Sequence, residues 1–219
     1  NTHNIKARAL KAIILRKLGR VEDAKAWIAE NLEIDRFDYT SKFELTLLDK
    51  DNTELLSEMN CVMRDFQENY LMIARDYADA GCYEEAIAIL EQCTKQYPML
   101  SYYKGYYYAK LGNMEKCVSE YREGDACNPT YCFPNKLEDI SVLEDAIKEL
   151  PEGAKAYYYL GNLFYDKLQF EQAIGLWEES ATLDSSYPTV HRNLSIAYYN
   201  KRRDLQKART EMEKAFALD

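Results

Sequence analysis

Residues 67–98 read QENYLMIARDYADAGCYEEAIAILEQCTKQYP, and this stretch contains the pattern that decides the fold. Apolar and small residues recur at helical spacing on both sides of Gly81, which predicts two helices joined by a tight turn. Ala74 on the first helix and Ala86 on the second are twelve residues apart. Small side chains at that spacing meet across an antiparallel hairpin and let its helices approach closely. Pro98 marks the end of the unit, because proline disfavours helical backbone in the residue before it.

The same spacing returns along the whole chain. The step from Gly161 to Ser195 is 34 residues, which is the length of one repeating unit. The further pairs of small residues are Ala12 with Ala24, Gly105 with Cys117, Gly161 with Ala173, and Ser195 with Ala208. The last pair is one residue late, and Arg202 and Arg203 are expected to absorb the insertion in the turn. Agreement among five units predicts a repeat protein.

These features resemble the tetratricopeptide repeat, a helix–turn–helix unit of 34 residues. The resemblance implies an all-α fold, a right-handed superhelical α-solenoid of antiparallel helix pairs. It also implies one array over residues 1–219, with six helix pairs and an incomplete repeat at 129–153. The predicted pairs are 5–18 with 21–34, 39–49 with 53–63, 67–80 with 83–97, 99–111 with 114–126, 154–167 with 170–183, and 188–201 with 204–218.

Two irregular places stand out in this array. The second pair is degenerate, with a turn at Asp49-Lys50-Asp51-Asn52. In the incomplete repeat, the loop Cys132-Phe133-Pro134-Asn135 precedes one predicted helix from Lys136 to Leu150. We expect the first helix of this repeat to be shortened or unwound. Its loop is either a tolerated insertion or a binding loop.

Composition narrows the class of protein. Gly 8 and Pro 5 among 219 residues are too few for an all-β chain, and 47% hydrophobic residues argue against disorder. A net charge of −9 opposes general binding to nucleic acid or to anionic membranes. Residues 1–20 differ, because they hold six basic and no acidic residues. We expect this basic helix to dock on an upstream domain of the same chain.

The cysteines and the lack of a signal peptide predict a cytoplasmic location. No apolar run approaches 18 residues, so no membrane-spanning segment is expected. Six cysteines lack zinc-ligand spacing and are expected to be reduced thiols. The chain lacks an initiator Met and begins almost at once with a helix, which we interpret as a piece of a longer protein.

Three segments extend the resemblance. Residues 157–167, YYYLGNLFYDK, and residues 193–201, NLSIAYYNK, look like the C-terminal repeats of certain large bacterial proteins, and so does the loop at 131–134. In those proteins such repeats follow a β-rich domain associated with carbohydrate. The resemblance implies an upstream domain of that kind, and it does not imply that this chain is an enzyme.

No catalytic, metal or cofactor site is predicted. The chain has only two histidines, His3 and His191, and His191 occupies the large-aromatic position of its repeat, where a packing role is expected. One usable histidine cannot support the usual metal site, and no Gly-rich loop matches a phosphate-binding pattern.

The concave face of stacked repeats is lined by the first helix of each pair. Rigid, amphipathic tyrosine rings on such a face make good anchors for a peptide, and the alternative is that neighbouring helices bury them. The predicted ligand-groove residues are Tyr158, Asn162, Tyr165, Arg192 and Tyr199, with Tyr102 and Tyr106 in the middle of the array.

Some tetratricopeptide proteins hold a peptide carboxylate with a five-residue clamp. Asn162 and Asn193 match its two asparagines, but Tyr158 replaces its first lysine and no third repeat follows within the sequence, so this clamp is not predicted. The prediction is a protein-interaction scaffold that holds a peptide or partner segment in the concave groove. The alternatives are a non-catalytic accessory half of a carbohydrate-active bacterial protein, or self-association through the terminal units.

Overall fold

A computed structural model describes residues 4–49 and 51–218, and it contains helices and connecting turns throughout these ranges. The all-α prediction is therefore confirmed for the described residues. The chain divides into two compact units, Asn1–Lys95 and Gln96–Asp219. Two residues discussed above, His3 and the turn residue Lys50, lie outside the described ranges.

The first unit consists of three helix pairs. Their helices are α1 (Ile5–Lys17), α2 (Val21–Ile34), α3 (Tyr39–Leu48), α4 (Thr53–Met63), α5 (Gln67–Asp79) and α6 (Tyr83–Leu90). Gly19 and Gly81 both have a φ of +73° and end α1 and α5 in the left-handed conformation that glycine adopts without strain. The predicted helix boundaries hold to within one or two residues, except at α6.

Helix α6 ends at Leu90, seven residues earlier than the sequence pattern predicts. The carboxylate of Asp65 explains the early end. Its Oδ1 accepts the backbone N–H of Thr94 at 2.8 Å, and its Oδ2 accepts the Thr94 hydroxyl at 2.6 Å. A backbone N–H bound to a side chain is lost to the helical ladder, and residues 91–97 are not helical.

The second unit begins with α7 (Pro98–Lys110) and α8 (Met114–Ala126), followed by the single helix α9 (Leu137–Glu149). The remaining elements are α10 (Ala154–Asp166), α11 (Phe170–Leu183), α12 (Pro188–Ala197), a π-helical turn (Tyr198–Arg202) and α13 (Leu205–Leu218).

The small residues meet across each hairpin as the twelve-residue spacing predicts. Ala12, Ala24, Ala74 and Ala86 are all fully buried in the first unit. In the second unit the fit is tighter. A Cβ atom on Gly161 would lie 2.5 Å from the indole nitrogen of Trp177 and 3.2 Å from the backbone oxygen of Ala173. The glycine therefore leaves room for a tryptophan ring.

The loop before α9 takes the place of a first helix, as expected for the incomplete repeat. Residues 127–136 form no helix, yet Cys132 within them is buried. Asp139 fastens the end of the loop, because its Oδ2 accepts the backbone N–H groups of Asn135 and Lys136 at 2.9 Å. Its Oδ1 accepts the Tyr103 hydroxyl at 2.7 Å, which connects the start of α9 to α7.

The extra residue of the last hairpin is absorbed by the π-helical turn and by Arg203, which has a φ of +56°. One additional residue per turn is what distinguishes a π turn from an α turn. The insertion therefore leaves the hairpin contact intact: the Ser195 hydroxyl donates to the backbone oxygen of Ala208 at 2.7 Å.

Candidate functional site on the second unit

The seven predicted groove residues all lie in the second unit, but they do not form one pocket. They fall into three groups: two buried in the core, three partly buried against neighbouring side chains, and two exposed on α12 and its π turn. The buried residues are Tyr102 and Tyr158, the partly buried ones are Tyr106, Asn162 and Tyr165, and the exposed ones are Arg192 and Tyr199.

The prediction that Tyr102 and Tyr158 face the groove is wrong. The Tyr158 ring packs edge-on against Tyr187 at a centroid distance of 4.9 Å and is 5% exposed. Tyr102 is 1% exposed and packs against Tyr121 and Tyr159. Burial raises the pKa of the Tyr102 hydroxyl well above its ordinary value, so this side chain stays neutral. Both rings belong to the hydrophobic core.

Asn162 has the best-defined polar contacts of the predicted groove residues on α10. Its Oδ1 accepts two hydrogen bonds, one from Trp177 Nε1 and one from Asn193 Nδ2, each at 3.1 Å. Because an indole nitrogen can only donate, the oxygen of Asn162 must face Trp177 and its amide nitrogen must point away. The bond to Asn193 joins α10 to α12. The two asparagines are partly exposed and form what we call the asparagine pair.

Tyr165 lies one helical turn further along α10. Its ring packs edge-on against Phe170 at 4.9 Å and lies tilted against Trp177 at 5.2 Å. It is partly exposed, so one face is covered by α11 and the rest remains accessible. Tyr106 has a similar position on α7, where the Lys110 ammonium lies 4.6 Å from its ring centroid.

Arg192 and Tyr199 lie apart from the asparagine pair. Arg192 lines a cavity of about 140 Å³ together with Met212 and Phe216 of α13. Tyr199 is 54% exposed on the π-helical turn. The five-residue pocket predicted from the helical phase is therefore reduced to the asparagine pair and Tyr165.

Sequence reasoning missed the role of Trp177, which positions both Asn162 and Tyr165. Its indole nitrogen also lies 3.3 Å from the backbone oxygen of Tyr158. Trp177 is sixteen residues after Gly161 in the sequence. In the structure this spacing places the ring of Trp177, on the second helix of the hairpin, against Gly161 on the first. A large ring sixteen residues after a glycine is therefore the sequence signal that could have identified Trp177.

In the first unit the basic residues of α1 are bound internally. Lys6 pairs with Asp76 at 3.0 Å, and Arg8 pairs with Glu30 at 3.0 Å. The Lys11 ammonium lies 3.4 Å from the ring centroid of Trp27. Lys6 and Arg8 are thus compensated within the unit, and the basic residues of α1 give no independent support to docking on an upstream domain.

A buried network at the other end of α1 also escaped sequence reasoning. Arg16 binds both oxygens of Glu44, which is fully buried, and also binds Glu85 at 3.0 Å. Tyr77 donates its hydroxyl to Glu44 at 2.6 Å. These contacts join four helices of the first unit, α1, α3, α5 and α6.

His191 has the packing role that its repeat position predicts. It is 2% exposed, with Nδ1 2.6 Å from Glu211 and Nε2 3.1 Å from the backbone oxygen of Ser185. Among the described residues no group of three or more His, Cys, Asp or Glu side chains is placed to hold a metal ion. Burial raises the pKa of the Cys132 thiol to about 12, which makes it a poor nucleophile.

No helix within the described ranges is both long enough and apolar enough to cross a membrane.

The antiparallel hairpins, small-residue contacts and glycine turns define the class of the protein, which is a helical repeat protein. The tetratricopeptide repeat model matches residues 71–130 and 140–188, and these two segments therefore contain tetratricopeptide repeats.

Several solved structures are similar to this chain. Residues 41 to the end of MamA from Desulfovibrio magneticus RS-1 are 22% identical, with 69% of this chain and 94% of that chain covered and a TM-score of 0.35. YrrB, described as a TPR protein with an unusual peptide-binding site, is 14% identical, covers 100% of this chain and 88% of its own, and has a TM-score of 0.36. At such TM-scores the assignment rests on the family match and on the hairpins themselves.

Proposed function

We propose that the chain is a non-enzymatic interaction scaffold whose second unit binds an extended peptide segment along α10 and α12. The asparagine pair carries this proposal. Asn162 uses its oxygen to accept from Trp177 and Asn193, which leaves the Nδ2 of this partly exposed side chain as a donor for a ligand. Asn193 uses its Nδ2 to bind Asn162, which leaves its Oδ1 as an acceptor.

A donor and an acceptor side by side match the C=O and N–H groups of a peptide backbone. Tyr165 adds a partly exposed aromatic surface one turn away, where a side chain of the bound segment can pack. Orientation by Trp177 lowers the cost of binding, because the amide of Asn162 is already held in one position.

The test uses a random twelve-residue peptide library displayed on phage and selected on the second unit within the full chain. Asn162→Asp keeps the oxygen that Trp177 and Asn193 require, and it replaces the donor nitrogen by a second acceptor. We expect this variant to bind the selected peptides at least tenfold more weakly, with an unchanged helical circular dichroism spectrum. Selection of no peptide, or equal binding by the variant, contradicts the proposal.

The accessory-half alternative has one structural feature in its favour. Tyr131 and Phe133, in the loop of the incomplete repeat, are 83% and 65% exposed. Exposed rings of this kind can stack on sugars. A glycan array probed with the chain and with Tyr131→Ala tests the idea, and specific glycan binding that the variant loses would support it over the peptide groove.

A further inference from the structure

We propose that the turn end of the last two hairpins binds a partner segment in which carboxylate side chains alternate with apolar ones. The surface is a cavity of about 490 Å³, which we call the turn cavity. It is lined by Leu168, Gln169, Phe170, Glu171, Gln172, Asn200 and Lys201. The asparagine pair contributes no residue to it, so this proposal goes beyond the peptide groove and does not depend on it.

The charges in the turn cavity are unequal. Arg202 binds Glu171 through Nη2 at 2.8 Å and binds Glu178 at 3.0 Å, so the acidic residue of the cavity wall is already compensated. The Lys201 ammonium instead lies 3.7 Å from the ring centroid of Phe170. No carboxylate of the described part of the chain lies within ion-pair distance of it. A ring face attracts a cation without cancelling its charge.

The π-helical turn gives this cation its position. Asn200 and Lys201 lie in the middle of Tyr198–Arg202, where the extra residue of the last hairpin widens the turn. π turns of this kind often occur at functional sites. The ring of Phe170, on α11, faces the Lys201 ammonium itself, and Lys201 is an exposed residue in the wall of the cavity.

Leu168 supplies the apolar side of the surface. It has a φ of +64° and is 72% exposed, whereas the corresponding turns elsewhere in the chain have Gly19, Gly81 and Gly112. A large side chain in the left-handed region is strained, and Leu168 is largely exposed in spite of that strain. A strained, exposed apolar side chain beside an uncompensated cation fits a ligand that contains both apolar and acidic groups.

The charge of the residues beside the turn cavity favours an acidic partner. Residues 198–209 contain five Lys or Arg residues and one Asp, in a chain with a net charge of −9. Arg202 and Arg209 are already paired with glutamates, so the attraction for an acidic segment comes from the remaining cations, Lys201 among them.

The experiment measures fluorescence anisotropy with three labelled hexapeptides, Glu-Leu, Gln-Leu and Lys-Leu each repeated three times, added to the full chain. We expect the Glu-Leu peptide to bind at least tenfold more tightly than the other two, with an affinity that falls as salt is raised. Lys201→Gln should weaken its binding about fivefold, the loss typical of one exposed ion pair. Leu168→Ser should also weaken it.

One control makes the result specific. Lys116→Gln removes another exposed ammonium, which lies 5.0 Å from the ring centroid of Tyr108 in another hairpin, and it should leave binding unchanged. The proposal is overturned if the Glu-Leu peptide does not bind at millimolar concentration, if Lys116→Gln matches Lys201→Gln, or if a single-stranded oligonucleotide binds more tightly than the peptide.

Discussion

The guanidinium of Arg16 binds the carboxylate of Glu44 through two nitrogens, with Nε 2.7 Å from Oε2 and Nη2 3.1 Å from Oε1. This geometry is the strong, bidentate form of an ion pair. Glu44 has no exposed surface, and its Oε1 also accepts the Tyr77 hydroxyl at 2.6 Å. The pair therefore fixes α1 against α3 in the interior of the first unit.

We predict that Glu44→Ala strongly destabilises the first unit. The substitution leaves the Arg16 guanidinium without its main partner in a largely buried position, and breaking such a pair typically costs about 3–5 kcal/mol. Urea unfolding followed by circular dichroism measures the loss. Asp23→Ala is the matched control, because its pair with Arg20 is exposed and should contribute less than about 1 kcal/mol. Equal effects of the two variants would show that Glu44 is not structural.

The two glycines inside the helices of the α10–α11 hairpin should respond oppositely to substitution by alanine. Gly161→Ala places a Cβ against Trp177 and should cost about 1–3 kcal/mol, and Gly161→Leu should cost more. Gly175→Ala, on α11, meets no atom within 4 Å and should stabilise by about 0.5–1 kcal/mol through helix propensity. Thermal unfolding of both variants is the measurement. If Gly161→Ala proves neutral, the indole is not held where the structure places it.

Leu168→Gly should stabilise the second unit by roughly 0.5–1 kcal/mol. The substitution removes the strain of a left-handed leucine, and the greater freedom of glycine in the unfolded chain offsets part of the gain. Gly112→Leu, at the corresponding turn between α7 and α8, has a φ of +76° and should lose a similar amount. Urea midpoints of the two variants should shift in opposite directions. A lower midpoint for Leu168→Gly would mean that the leucine makes a stabilising contact.

Stability should fall in acid partly through Glu211. Burial alone would raise the pKa of its carboxyl, but hydrogen bonds from Lys214 and His191 outweigh burial and lower that pKa. A carboxyl whose pKa is lower in the folded state stabilises the fold above its unfolded pKa, near 4.3, and this contribution is lost as the pH falls through the folded value.

Thermal unfolding between pH 7 and pH 3 checks this sign. Glu211→Gln should start less stable at pH 7 and lose less stability than the wild type in the acid range. Glu213→Gln, which alters an exposed pair with Arg209, should follow the wild-type pH dependence. A Glu211→Gln profile parallel to the wild type would contradict the assignment.

The repeat architecture could be predicted because the same contact between two small residues recurs in each hairpin. Gly161 and Ala173 indicate a close helix crossing by their size, and the crossing is present. The burial of Tyr158 could not be predicted in the same way. Helical phase places it on the concave face, but Tyr187, from the connection after α11, covers it. The positions of residues around one helix do not show whether a loop from elsewhere in the chain will cover them.

Charged residues in the interior were unpredictable for a related reason. The sequence predicts that Glu44 lies on the surface, because acidic side chains are rarely buried without a partner. Its partner, Arg16, is 28 residues away in the sequence and so is not visible in the local pattern. The early end of α6 has the same origin, because Asp65 captures Thr94 across 29 residues. Local patterns predict helices, whereas such distant polar contacts become visible only in the folded chain.

The π-helical turn shows that the contact between the two helices of a hairpin defines this repeat, whereas the number of residues between the contacting positions can vary. Ser195 still reaches Ala208 although the chain between them is one residue longer than in the other hairpins. The family match ends at residue 188, just where the hairpin with the extra residue begins. Insertions in such turns can therefore hide true repeats from any comparison that assumes a fixed period, while the folded hairpin keeps the register of its two helices.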